Sequence, residues 1–179
     1  SGTAIVQAVE TRQEILVFTD QALHSMQFIG PPYTFGINRV SENITIRSPN
    51  AAVAVGDSVY WMGVDQFYVY RGNVNQLNCT VKEKILTDIN NEQSTKIFAG
   101  INSGFQEIWW FYPSVGSDNV DKYVVYNYGE SAPQLPIWYI GSEARTSWID
   151  GTIYPKPFGT KFDSTAEGTF PEIVGVSGL

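Results

Sequence analysis

Three carboxylates stand where strand-like runs meet turns: Asp20 in "VFTDQAL", Asp65 in "MGVDQFY" and Glu107 in "GFQEIWW". Two carboxylates about 5 to 10 Å apart, one of them kept protonated, are what glycoside hydrolysis requires. Trp109, Trp110, Trp138 and Trp148 add flat apolar faces that can stack on sugar rings. If Asp20, Asp65 and Glu107 occupy corresponding turns and converge around one axis, a glycan-active site is the chemistry to expect. Against it, Asp side chains readily bond nearby backbone in turns. The Trp residues also lie in apolar runs such as "IWWF", where burial explains them. The Ser-x-Asp-x-Gly-x-Thr-Trp turn of sialidases is absent.

Other reactive groups are sparse. His24 is the only histidine and Cys79 the only cysteine, which leaves no nucleophile–base pair with separate members and too few ligands for zinc. His24 falls at an alternating position in "ALHSM" and reads as structural. Cys79 reads as a small buried hydrophobe and excludes an internal disulfide framework. No phosphate-binding or dinucleotide glycine loop occurs. "DNVD" at Asp118 to Asp121 is either part of a calcium site or a solvated hairpin tip, and it lacks the full EF-hand spacing. No catalytic, cofactor-binding or metal residue is therefore assigned, and no enzymatic activity is expected.

Composition narrows the class further. Hydrophobic residues make up 43% and charged residues 16%, enough to build a core, and the 14% aromatic content favours pleated sheets. With a formal charge of −7 and scattered Lys and Arg, the chain has no basic stripe for reading nucleic acid. No apolar run approaches the roughly 20 residues that span a bilayer, so no membrane anchoring is expected.

The elements that would position these residues repeat. Ile5, Ala51 and Ile97 open similar units about every 46 residues. The second unit reads "AAVAV", "SVYWM", "FYVY" and "VNQL", four short strands joined by turns rich in Gly, Asp and Asn. The first has "AIVQAV", "EILVF", "ALHSMQF" and a fourth strand near "YTFGINRV". The third has "IFAGI", "EIWWFY", "KYVVYNY" and "PIWYIG", with a longer loop before "KYVVYNY". The second strands, "ILVF", "VYWM" and "IWWF", are almost wholly apolar, as strands covered on both faces should be.

This spacing predicts an all-β fold: a β-propeller-like array of four-stranded antiparallel blades, about three blades plus a partial fourth. The chain is read as a single propeller fragment over 1–179. Its blade-like units span about 4–48, 50–80 and 96–141, and residues 142–179 form a partial blade or tail with "TSWID" and "TKFDS" as strands. A β-sandwich is the alternative. Asp20-Gln21 and Asp65-Gln66 fall at the turn between second and third strands. Val81, Ile85, Leu86 and Ile89 make a one-sided stripe, predicting a short helix between the second and third blades, for packing or for a partner. Both ends look cut, so an excerpt of a longer propeller is expected.

Long phrases in this order, "EILVFTDQALHSMQFIGPPYTFG", "NAAVAVGDSVYWMGVDQFYVYRG" and "CTVKEKILTDINNEQSTKIFAGINSGFQEIWWFYPS" followed by "DKYVVYNYGE", resemble structural proteins of short-tailed bacteriophages. They are similar to the tail tubular or nozzle component, a β-propeller with inserted domains. The resemblance covers roughly residues 14–149. It implies a virion tail part made in the host cytoplasm, partnered by other copies of itself in a ring and by adjacent tail proteins. DNA would pass through without sequence-specific binding. A glycan- or host-surface-binding propeller module is the alternative. Acidic walls suit a conduit, because they avoid phosphate contacts that would hold DNA.

Overall fold

A computed structural model describes residues 4–150, 156–161 and 172–175. The fold is all-β, and the described residues form three four-stranded antiparallel sheets and one of three strands. The first sheet joins β1 (Ile5–Glu10), β2 (Ile15–Thr19), β3 (Ala22–Phe28) and β4 (Phe35–Glu42) in chain order. The second joins β5 (Ala52–Val55), β6 (Ser58–Met62), β7 (Phe67–Tyr70) and β8 (Val74–Gln76), and the third β9 (Phe98–Asn102), β10 (Glu107–Tyr112), β11 (Lys122–Asn127) and β12 (Trp138–Ser142). Each is the simple meander of a propeller blade. The fourth holds β13 (Ser147–Ile149), β14 (Phe158–Lys161) and β15 (Glu172–Gly175). The expected "TSWID" strand is β13. "TKFDS" begins within β14 and continues outside the described residues.

Strands β2, β6 and β10 take the same second place in three separate sheets, as their apolar runs predict. Short turns set each register. Between β5 and β6, Gly56 takes the first of two turn positions at φ +60°, which a side chain would strain, and Val55 pairs with Ser58 beyond it. Thr19 closes the β2–β3 turn: its Oγ1 donates to the Ala22 carbonyl and accepts from the Ala22 amide, both at 2.9 Å.

The chain divides into two compact units, Ser1–Asn78 and Cys79–Leu179. In the first, Phe18 of β2 meets Trp61 of β6 edge to face at 5.2 Å, joining the first two sheets, and Trp61 stacks on Tyr68 at 5.3 Å. In the second, Trp109 and Phe111 of β10 form a buried cluster with Val120 and Val125, and Trp148 of β13 packs against it. The Trp148 indole donates to the Ile101 carbonyl at 2.8 Å and lies over Gly100, where a Cβ would come within 2.3 Å of the ring.

The predicted helix is α1 (Lys82–Asp88), followed by a 3-10 turn over Asn91–Lys96. Of its stripe, Ile85 and Ile89 are buried, whereas Val81 and Leu86 are half-buried. The connector also grips the long β10–β11 loop: Ile89 bridges Ser114, and the Asn90 and Val115 amides donate to the Pro113 and Asp88 carbonyls. Lys122 Nζ donates to Asp88 Oδ2 at 2.8 Å.

Candidate assembly surface

The three carboxylates do not share one structural place. Asp20 and Asp65 lie between second and third strands, as predicted, but Glu107 begins β10 and faces the β9–β10 turn instead. That is the opposite end of its blade, so the expected correspondence fails. The "GFQE" turn follows a first strand, and the third blade's equivalent of Asp20 falls in the long loop after Tyr112. Asp20 Oδ1 accepts from the Ala4 amide at 3.4 Å, and Asp65 Oδ1 accepts from the Tyr68 hydroxyl at 3.1 Å. Burial, with the Asp65 charge behind it, pushes Tyr68 up to about 12. Glu107 accepts from the Trp109 indole at 3.0 Å and from Asn102 at 3.4 Å. Burial raises its carboxyl above the usual range, and those two hydrogen bonds pull it partly back.

The aromatics proposed as sugar platforms are used in packing. Trp109 and Trp110 are buried. Trp138 stacks on Trp110 at 6.2 Å and tilts against Tyr126 at 4.7 Å, and Trp148 stacks on Trp109 at 5.3 Å. His24 sits mid-strand in β3, paired with Val17 and Arg39. Cys79 is half-buried, not enclosed as expected. Partial burial still lifts its thiol to about 11, against weaker pulls from the Val81 amide and Lys82. Asp121 is less a solvated tip than a loop clasp: its two oxygens accept from the Ser114 amide at 2.7 Å and the Ser114 hydroxyl at 2.6 Å. The loop is pinned because Asn90 Nδ2 reaches Ser117 and Lys96 the Asp118 carbonyl.

The unusual surface is the β3–β4 hairpin. Phe28 pairs with Phe35 and Met26 with Ile37 across the two strands, so their side chains share one face. Ile15 and Val17 extend that face onto β2 and are only half-covered. The opposite face carries Leu16, Phe18 and Leu23, all fully buried. By contrast, every residue of β7 is buried, on both faces. At the tip, a turn through Gly30, the cis-linked Pro31-Pro32 and Tyr33 is closed by the Ile29 amide donating to the Thr34 carbonyl at 3.2 Å. Phe28 is 69% exposed, Ile29 56%, Tyr33 73%, Phe35 56% and Ile37 66%.

Reading the strands as blade parts missed this surface, since alternation alone does not say which apolar face is covered. A usable signal was present: residues 25–38 contain no charged side chain in an acidic protein. Among the described residues, no group of His, Cys, Asp and Glu is arranged to hold a metal, and no helix is long and apolar enough to cross a membrane.

Fold and surface together define the class: a blade-repeat β protein with an exposed apolar hairpin. In comparisons with known proteins, no family model and no curated protein matches the chain.

Proposed function

We propose that the chain is a non-enzymatic structural part of a virion, a segment of the tail tube or nozzle of a short-tailed phage, in which copies join as a ring that conducts DNA. The exposed apolar hairpin of β3 and β4 carries this reading, because a large contiguous uncovered apolar surface calls for a partner. The use of Asp20, Asp65 and Asp121 in turns, and of the Trp residues in packing, supports scaffold over catalyst. The phage assignment draws on the phrases in residues 14–149.

The alternative, a glycan- or host-surface-binding module, would use coplanar exposed rings. The hairpin's Phe28 and Phe35 instead meet edge to face, at 76°. Cryo-electron microscopy of the purified chain at rising concentration tests the proposal, together with antibody labelling of virions. Closed rings and labelled tails are expected. Particles that stay monomeric, with unlabelled virions and saturable binding on a glycan array, would replace it with the alternative.

A further inference from the structure

We infer that the β3–β4 hairpin is a contact through which one copy of this chain seats on a second copy. At ordinary side-chain sizes, the exposures of Phe28, Ile29, Tyr33, Phe35 and Ile37 amount to about 600 Å² of apolar surface. Matched by a similar area on the receiving copy, that gives about 1,200 Å², the lower bound for a stable protein interface.

The chemistry of the hairpin selects the occupant. Two copies each carrying −7 repel at long range, and residues 25–38 are a stretch that itself carries no charge, with Glu14 bonded to Gln27 at its border. Beyond that stretch, β4 bears Arg39 and Glu42, already paired at 2.8 Å, so its charged end is neutral against its own kind. A nucleic acid or an anionic lipid surface would call for Lys or Arg within the hairpin, and residues 25–38 hold none; the nearest along the sheet end is the single Arg12 of the β1–β2 turn, with Glu14 beside it. The backbone adds to this. β4 has eight residues and lies at the edge of its sheet, and no described strand pairs with its outer side. Natural sheets blunt such edges with short strands, Lys, Pro or coverage. β8, an edge strand of three residues, is blunted by its length. β4 has a bulge opposite Leu23 and His24, but its apolar half, Phe35 to Ile37, is left unprotected.

The choice of a second copy as occupant rests on the ring reading, and the test separates the two. Sedimentation velocity of the whole chain is run over a concentration series for the wild type, for the double variant Phe35→Asp/Ile37→Asp, and for Val115→Asp, a control at an exposed apolar residue elsewhere. Circular dichroism melting checks that each is folded. A second readout leaves the apolar residues intact: a fluorophore on Thr34→Cys in a Cys79→Ser background should shift to shorter wavelength on association. The expected result is concentration-dependent association of the wild type and the control, weakened at least 10-fold in the double variant, with the Thr34 label responding. Association that survives in the double variant, with a silent label, overturns the hairpin contact and leaves ring assembly standing. A wild type that is monomeric throughout overturns both. Flotation of the monomer with neutral or anionic vesicles would assign the hairpin to lipid and overturn the inference.

Discussion

Trp109 shows how a residue that suggests chemistry from its type is accounted for by its neighbours. Its ring tilts on Tyr123 at 4.7 Å, stacks on Trp148 at 5.3 Å and Phe111 at 5.9 Å, and its indole nitrogen is held by Glu107. Truncation to Ala should therefore destabilise the protein by about 3–5 kcal/mol, measured by urea denaturation. A loss below about 1 kcal/mol would show that the ring is free to bind something else. Glu107 gives a pH signature. Its folded-state carboxyl is raised, chiefly by burial, so the folded protein binds its proton more tightly than the unfolded chain does. Stability from this group is complete below the unfolded value of about 4.3 and declines as pH rises through the raised folded value. Glu107→Gln keeps an oxygen for Trp109 and removes the charge. Thermal melts should place the variant above wild type at neutral pH, with the gap closing on acidification to about pH 4. A gap that widens in acid would reverse the sign of the argument.

Elements are joined at points where one atom too many cannot fit. Gly100 of β9 lies beneath Trp148 of β13, the residue that ties the three-stranded sheet to the third blade. Gly100→Ala should displace the indole and cost about 1–3 kcal/mol as overpacking, with Trp fluorescence shifted to longer wavelength as Trp148 is exposed. An unshifted spectrum with an unchanged melt would mean that the fourth sheet docks by other contacts. Much of the element plan was legible beforehand. Runs such as "VYWM" and "IWWF" have no polar alternation and needed cover on both faces, and "VGDS" fits a two-residue turn. Ile85 and Ile89 are one helical turn apart and pointed to a packed helix. What the pattern could not give was position across the blade. Glu107 resembles Asp65 in local sequence, but one follows a first strand and the other a second, which depends on where pairing begins. The open face of the first sheet was hidden for a similar reason: Met26 and Ile37 look like core until it is known that Ile37 is 66% exposed.

For the molecule as a whole, charge is the property that bears on the proposed conduit role. A duplex moving past a wall is slowed by each phosphate that the wall neutralises, and every such contact steepens the salt dependence of binding. The chain is acidic at −7, and many of its cations already pair with their own backbone or carboxylates. Arg39 pairs with Glu42, Lys122 with Asp88 and Arg145 with Glu143. Arg47 donates to the Val64 carbonyl, Arg71 to the Tyr60 hydroxyl and Lys96 to the Asp118 carbonyl. Cations engaged in this way are less available to phosphates than free ones. Duplex DNA should therefore run unretarded beside the assembled protein in a native gel at about 50 mM salt, where electrostatic binding is strong. Retardation that fades steeply with added salt would reveal a cationic path and would count against a wall built for DNA to slide along.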